Sequence, residues 1–391
     1  MKSVIRHSTG QQGFTLVELM VGMGIGLLCT LVIATAMSVA EGQRRGTSAG
    51  SDAQVGGTLS MYAIQREVAM AGYGFASEAM ALGCPLSARF AGSAFGMFPP
   101  VLGPVFVTTV GNDSQLRILA SSKAVTGDGA INQVGYSVPL RVVPPHYDPN
   151  SGNAQQRTQF SVNGMVGVLQ NDLMVLVPNA PNPGVVCEVF QVNQAPAAFS
   201  IPRADDAGWN APGFPTMATS SKCLPASCAV PNPSGSILLN MGSFVDVIYS
   251  VNGQQQLVES RLDTRTRTRT NRVLQSNVVR LRAFYGMDSD GDGVVDSYTN
   301  VQPANPAQWA QLLSVRVVLV TRSAQFERDP VTTGPIKVVV GSVAPVTGSV
   351  DCTEGKCLNL AVNDLANWQN YRYKAFDTVI PLRNQRWKSP S

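Results

Sequence analysis

The sequence predicts an α+β protein, in which one long N-terminal helix, with its first half in a membrane, packs on an antiparallel β-sheet body with long loops. Residues 14–40 form a mostly apolar run in which Glu18 is the only charged residue, and this run is long enough for a helix of about 40 Å. Helical spacing of apolar residues continues to about Ala71. Beyond residue 75 the pattern changes to short runs rich in Val, Ile, Tyr and Thr, separated by Gly, Pro and Asn, which are typical of strands and turns.

The apolar run 14–40 is long enough to cross a hydrocarbon core of about 30 Å. Lys2 and Arg6 precede it, which places the leader on the cytoplasmic side and the bulk of the chain outside. An ordinary secretory signal is one alternative, although its apolar core would span about 7–15 residues. A plain signal anchor is another. Neither explains Glu18, because a carboxylate in a spanning helix costs about 2.5–3.5 kcal/mol.

Cleavage between Gly13 and Phe14 would give Glu18 a partner, since the new α-amino group of Phe14 lies four residues earlier on the same helix face. Opposite charges about 4 Å apart attract by about 4 kcal/mol at an effective dielectric of about 20, which offsets the insertion cost. The stretch 13–18, GFTLVE, resembles the prepilin-type leader of type IV pilins, pseudopilins and related filament subunits. The resemblance implies that a prepilin peptidase cuts after Gly13 and methylates Phe14, and that Glu18 acts in assembly.

These features divide the chain into a leader at 1–13, a transmembrane and filament-core helix at 14–40, a periplasmic half of the helix at 41–75, and a β-rich globular body at 76–391. In the second half of the helix, the apolar residues at helical spacing are Val55, Leu59 and Tyr62. The predicted strands are 105–110, 115–120, 133–143, 173–177, 185–192, 245–251, 256–260, 278–285, 315–322, 336–340 and 371–380. Asn305 and Pro306 begin a short predicted helix, 306–313.

The second half of the chain has a recognisable order of segments. They are FYGMD at 284–288, a short helix bearing Trp309, SVRVVLVTRS at 314–323, and the segments 372–376 and 379–384. This order resembles the PilW-type minor pilins of type IV pilus systems, whereas residues 83–274 match nothing specific. The resemblance implies a pilin-like fold and an inner-membrane subunit with a periplasmic body that then joins a pilus at the cell surface. Its implied partners are the major pilin, other minor pilins and a large tip protein or adhesin, with which it would prime assembly. Motility, adhesion and DNA uptake would follow from the assembled pilus.

Seven cysteines divide into Cys29, a small apolar residue of the membrane run, and six in the exported body. An even number outside the cytoplasm predicts three disulfides, although the sequence leaves their connectivity open. The favoured pairs are Cys223–Cys228, Cys352–Cys357 and, by what remains, Cys84–Cys187. A zinc site from two Cys-x4-Cys pairs is the alternative, but His146 is the one histidine outside the leader.

An acidic loop at 288–296 is typical of a calcium site, because alternating side chains bring their oxygens to one point. The expected ligands are Asp288, Asp290, Asp292 and Asp296, with the carbonyl oxygen of Val294. Thr299 stands where a full EF-hand has a bidentate glutamate. The alternative is a solvated acidic turn, but four aspartates without a neighbouring cation would repel one another. We therefore expect a structural calcium ion.

Arginines alternate with threonines at 265–270, so three of them share one face of a strand. DNA, anionic lipid or an acidic subunit are possible partners, but a charged edge strand explains the pattern more simply. No aromatic residues interleave, and the net charge is +4, so we expect no direct contact with nucleic acid.

No catalytic function is expected, since the sequence has no phosphate loop or nucleophile elbow, and His146 is the one candidate base. Two alternatives to pilus assembly remain. One is a pseudopilin of type II secretion, which shares the leader. The other is a calcium-dependent adhesive module at the pilus tip, with residues 83–274 binding a surface.

Overall fold

The computed structural model describes residues 13, 15–124, 137–145, 147, 151–178, 186–210 and 236–385. The chain divides into two units, Met1–Asp52 and Ala53–Ser391; the second is called the body below. Helix α1 covers Leu16–Met70, so its last part belongs to the body. Two short helices follow, α2 at Ala154–Thr158 and α3 at Pro306–Ala310.

Antiparallel strands make up most of the body. In the first half these are β1 Leu86–Ser87, β2 Arg89–Phe90, β3 Ser93–Ala94, β4 Val105–Val110, β5 Asp113–Ala120, β6 Leu140–Arg141, β7 Gln159–Ser161, β8 Leu173–Val177, β9 Cys187–Gln191 and β10 Ser200–Pro202. In the second half they are β11 Ile237–Gly242, β12 Val245–Val251, β13 Gln256–Asp263, β14 Thr268–Ser276, β15 Val278–Met287, β16 Ser297–Thr299, β17 Leu312–Arg322, β18 Ile336–Val339, β19 Val350–Cys352, β20 Gly355–Leu360 and β21 Tyr373–Pro381.

Two five-stranded sheets contain most of the strands up to β14. One has the order β14-β13-β12-β5-β4, and every neighbouring pair in it is antiparallel. The other has the order β1-β9-β8-β11-β6, in which β1 and β9 are parallel. Strand β8 is buried along its whole length. Its sequence, LMVLV, is continuously apolar because a strand covered on both faces has no solvent side.

A four-stranded antiparallel sheet, β16-β15-β17-β21, lies between α1 and a three-stranded sheet, β18-β20-β19. On the α1 side, the Thr321 hydroxyl of β17 donates to the Ala53 carbonyl oxygen at 3.0 Å. On the other side, valines of β17 form a separate apolar cluster with residues of β18 and β20. The central strands β15 and β17 are therefore apolar on both faces, as their VVRLRAF and VRVVLV sequences indicate.

The main core of the body joins α1 to the large sheets around Trp309 of α3. The Trp309 ring is 1% exposed and lies edge-on to Phe106 and Tyr285, with ring centroids 5.4 and 6.3 Å away. The Tyr285 hydroxyl accepts a hydrogen bond from the Val107 N–H at 2.6 Å. Burial raises the pKa of this phenol well above its usual value, so it stays protonated. Asn305 caps α3, as predicted, by accepting from the Gln308 N–H.

The predicted helix and strands are confirmed in type and, for several, in their bounds. Helix α1 ends at Met70, next to the predicted Ala71, and the strands at 105–110, 173–177 and 245–251 have both predicted ends. The prediction of a helix at 306–313 was wrong at its C-terminal end. Leu312 already belongs to β17, because it pairs with Met287 of β15.

The predicted strand at 133–143 was also wrong in extent, since the described residues within it hold only the two-residue strand β6. Among the strands that the prediction did not include, β11 is the most buried. Its apolar run, ILLNMG, is interrupted by the polar residue Asn240. Asn240 is 1% exposed, and its amide donates to Asp172 at 3.0 Å and to the Gly167 carbonyl at 2.9 Å. A satisfied amide can occupy a core strand.

Candidate functional site

The N-terminal unit carries the predicted processing and assembly residues. Gly13 is exposed, whereas Phe14 lies outside the residues that the structure describes. The Thr15 hydroxyl accepts a hydrogen bond from the Glu18 N–H at 3.3 Å, and the Thr15 carbonyl accepts from the Leu19 N–H at 3.1 Å. Thr15 therefore acts as a cap for α1, with Glu18 at the third helical position. The sequence contains this Thr-x-x-Glu signal, which the interpretation of Glu18 as an assembly residue did not use.

An acidic residue in the first turn also suits the positive end of the helix dipole. Glu18 thus has a local reason to be present besides pairing with a neighbouring subunit's amine. The two reasons are compatible, because the cap uses the backbone N–H of Glu18 and leaves its carboxylate exposed.

The segment Leu16–Ser38 is long and apolar enough to cross a membrane, with a mean hydropathy of 2.3. Its large side chains are exposed in the described chain, from Leu16 to Met37. The hydroxyls of Thr30, Thr35 and Ser38 each donate to a carbonyl oxygen one turn earlier, at 2.8–2.9 Å. These polar groups are therefore satisfied within the helix, as an apolar surrounding requires.

The part of α1 in the body has two different faces. The face packed on the sheets is buried, and its members include Ala53, Gly56, Gly57, Ser60, Met61, Ile64 and Val68. The opposite face carries Val55, Leu59 and Tyr62, whose exposed fractions are 56%, 59% and 64%. These three residues, called the α1 stripe below, lie at the predicted helical spacing. They form an apolar surface that the described part of the body does not cover.

The acidic loop connects β15 to β16, a short strand that the sequence did not predict. Backbone hydrogen bonds hold both of its ends, since the Asp288 N–H donates to the Gln311 carbonyl at 2.9 Å and the Asp296 N–H donates to the Met287 carbonyl at 2.8 Å. The loop starts at a buried residue, Asp288, and its middle is exposed. The sheet therefore fixes where the loop begins and ends.

Three of the four aspartates converge. One carboxylate oxygen from each of Asp288, Asp290 and Asp296 lies within 4.8 Å of the others. Asp292 is not in this group, and its carboxylate accepts from the Val294 N–H at 2.7 Å. The Asp288 carboxylate accepts from two glycine N–H groups, at 2.6 and 2.9 Å. Three convergent carboxylates in a loop whose middle is exposed to solvent suit a hard divalent cation such as calcium.

The arginine-rich segment 265–270 spans the turn between β13 and β14 and the first three residues of β14, which is an edge strand of its sheet. The Arg269 guanidinium donates to the buried Asp246 carboxylate at 2.8 Å, and Arg272 lies 3.3 Å from Glu259. The Arg267 guanidinium lies 4.0 Å from the centroid of an aromatic ring. The prediction that three arginines share one face of a strand was wrong, because Arg265 and Arg267 lie in the turn before β14. Arg269 and Arg272 do lie on the charged edge strand, where each has a partner inside the body.

The turn before β14 is fixed by Asp263. Its carboxylate accepts from the backbone N–H of Arg265 at 2.8 Å, and its carbonyl accepts from the Arg267 N–H at 2.7 Å. The hydrogen bond from Arg265 lowers the pKa of Asp263 below its usual value, because it stabilises the charged form.

Two of the three predicted disulfides are present. Cys84 is bonded to Cys187, and Cys352 to Cys357. The third predicted pair, Cys223 with Cys228, lies outside the described residues, as does His146. Cys29 is a free cysteine, as predicted.

Comparisons with known families match both ends of the chain. The model of the prokaryotic N-terminal methylation motif matches residues 8–34, which include Gly13, Phe14 and Glu18. The model of type IV pilus-assembly protein W, PilW, matches residues 247–384. This match begins inside the stretch 83–274, so the prediction that nothing there resembles a known family was wrong from residue 247 onward. Comparison with curated proteins and with solved structures found no match.

Proposed function

We propose that this chain, a prepilin-type minor pilin of the PilW family anchored in the inner membrane, helps to start the assembly of a type IV pilus or forms part of the complex at its tip. The domains of these families are structural and not enzymatic. The observation that carries the proposal is the exposure of apolar side chains along α1, from Leu16 to Met37 and again in the α1 stripe. Such surfaces need a membrane or neighbouring helices to remove them from water.

Processing would prepare the subunit for this role. A prepilin peptidase would cut between Gly13 and Phe14 and methylate the new amine of Phe14. In the membrane, the Glu18 carboxylate of one subunit would then pair with the Phe14 amine of another, since an intramembrane charge needs a partner. Lateral packing of the apolar helices would bring in the major pilin, other minor pilins and a large tip protein.

Counting surface pili in a deletion strain in which retraction is also disabled tests the proposal. We expect few or no pili, and a return to normal number when the wild-type chain is supplied. Chains with Gly13→Leu should accumulate as the longer precursor, and chains with Glu18→Ala should be processed but should restore few pili. Normal pilus number in the deletion strain would overturn the priming role.

The two alternatives make different predictions in the same strain. A type II pseudopilin would leave pili intact and reduce protein secretion. A calcium-dependent adhesive module would leave pilus number intact and reduce attachment to cells or mucin. The match to the PilW model at 247–384 favours assembly of a pilus over secretion.

We also propose that the acidic loop binds a structural calcium ion, in agreement with the sequence prediction. Asp288, Asp290 and Asp296 would supply carboxylate oxygens, and Asp292 and the Val294 carbonyl would join them after a small rearrangement of the loop. The distance of 4.8 Å or less among the first three supports this proposal. The threonine at 299 in place of an acid favours the weaker part of the affinity range, about 10⁻⁴–10⁻³ M.

Thermal melting of the full chain in detergent, with chelator or with millimolar calcium, tests the calcium proposal. Calcium at a hundred times its dissociation constant should stabilise the folded state by about 2.7 kcal/mol. Asp290→Asn should abolish the rise in melting temperature, whereas Asp329→Asn, an exposed aspartate outside the loop, should retain it. Equal melting of the wild type in both buffers would identify the loop as a solvated turn.

A further inference from the structure

Strand β21 forms one edge of the four-stranded sheet and pairs on its inner side with β17. The pairing runs in continuous register from Tyr373, opposite Arg322, to Pro381, opposite Ser314. No bulge interrupts it, whereas β15 has two register shifts against the same strand β17. The sheet therefore ends in a long and regular edge.

Hydrogen bonds at the two ends of β21 show which backbone groups face β17. The Ser323 N–H donates to the Arg372 carbonyl at 2.7 Å, and the Leu382 N–H donates to the Leu313 carbonyl at 2.9 Å. Because backbone direction alternates in an antiparallel ladder, the residues of β21 at odd positions direct their N–H and C=O groups away from β17. These residues are Tyr373, Ala375, Asp377 and Val379. In the part of the chain that the structure describes, no strand pairs with this outer side.

The other long edge strand, β14, is protected in ways that β21 is not. Its pairing with β13 contains a bulge between Leu257 and Val258, and it carries two arginines, Arg269 and Arg272. Bulges and repeated charges discourage pairing with another chain. Strand β21 carries one lysine and has its proline at the last residue. Its middle is therefore free to accept a further strand.

The charges along β21 favour an acidic segment. Arg372 is paired with Glu327, and Asp377 accepts from the Arg316 Nε at 2.9 Å, so these charges are already compensated. Lys374 is exposed and is not among the ion pairs of the described chain. An added strand with a carboxylate beside Lys374 would form an ion pair with it. The same edge of another copy of this chain would instead bring a second lysine.

We propose that the outer edge of β21 binds an extended, acidic segment of another pilus subunit, which adds to the sheet as a fifth strand. The inference rests on the proposed function, because the partner is a component of the same pilus. Backbone hydrogen bonds to residues 373–379 would supply affinity, and a carboxylate beside Lys374 would supply selectivity.

Photocrosslinking in cells that carry the full chain tests the proposal. A photoreactive amino acid at Pro381, which is exposed at the end of β21, should crosslink to a peptide of another pilus subunit identified by mass spectrometry. The same amino acid at Val273 on β14, which is 51% exposed, provides the comparison position. Equal yields at the two positions, crosslinks to a second copy, or crosslinks within the same chain would each overturn the proposal.

Val379 offers a matched pair of variants, since its side chain is 46% exposed and its N–H faces outward. Val379→Pro removes that N–H and places a ring against the incoming strand, so the crosslink should fall by about tenfold or more. Val379→Ala keeps the N–H and should retain the crosslink, as should Lys374→Arg, whereas Lys374→Glu should lose it. An unchanged yield with Val379→Pro would overturn the proposal. If the deletion strain lacks pili and the Val379→Pro variant restores them fully, the strand-addition proposal is wrong, whereas the proposed role in assembly is supported.

Discussion

Gly56 and Gly57 allow α1 to lie close to the strands that it crosses. A Cβ atom on Gly57 would stand 2.0 Å from the Phe376 ring of β21, and one on Gly56 would stand 2.7 Å from the flexible Gln275 side chain. Glycine lowers helix propensity relative to alanine, so these two residues weaken the helix itself. The structure shows that they also provide the contact surface between α1 and the sheets.

The first prediction concerns Gly57→Ala, which should lower the free energy of unfolding by about 1–3 kcal/mol, because the added methyl group overpacks the contact with Phe376. The measurement is the midpoint of urea unfolding of the full chain in detergent. Gly50→Ala is the control, since no atom lies within 4 Å of its added Cβ and alanine favours the helix by up to about 1 kcal/mol. Equal midpoints for the two variants would contradict the close approach.

The spacing of Val55, Leu59 and Tyr62 correctly predicted a helix but did not indicate which face of the helix is buried. Usually the apolar stripe of a helix faces the core. Here α1 has two apolar faces. Ile64 and Val68 are buried on the sheets together with small residues such as Ala53 and Ser60, whereas the α1 stripe faces outward. A single sequence does not reveal which apolar face is buried, since that depends on where the partner strands lie.

Leu59→Ser and Tyr62→Ser should leave the body folded and reduce its entry into pili. Both side chains are mostly exposed, so their replacement should change the unfolding free energy by less than about 0.5 kcal/mol. The measurement is the amount of the variant in sheared pili relative to the amount in membranes. Thr58→Ser, a conservative change at an exposed position on the same helix turn, should enter pili at the wild-type level. Normal entry of both stripe variants would show that the α1 stripe contacts no neighbour.

The two described disulfides close loops of very different length. Cys84 and Cys187 are separated by 103 positions, and Cys352 and Cys357 by 5. In the chain-entropy model these loops stabilise the folded state by about 4.7 and about 2 kcal/mol.

Replacing both cysteines of the long loop by serine should therefore destabilise the body more than the same change in the short loop. Chemical unfolding of the two double variants under oxidising conditions measures the difference. Thiol alkylation of the native wild type should label none of the four cysteines. Greater loss in the Cys352–Cys357 variant would contradict the loop-length argument.

The sequence predicted the α+β class, the long helix and most long strands, because each depends on local periodicity. It did not predict the order of strands in the sheets, which depends on contacts far apart in the chain. Strand β12, for example, pairs with β5 across more than a hundred residues. Within the acidic loop, the sequence identified the aspartates, but it could not show that Asp292 turns to the backbone of Val294.

The end of α1 is completed by residues that come much later in the chain. The Asn384 amide donates to the Ala71 carbonyl at 3.1 Å across 313 positions, and the Gln385 amide donates to the Trp309 carbonyl at 2.9 Å. Contacts of such high contact order form late, because a long intervening chain must first be brought together. During synthesis, the end of α1 therefore lacks this hydrogen bond until residue 384 has been made, almost at the end of the chain.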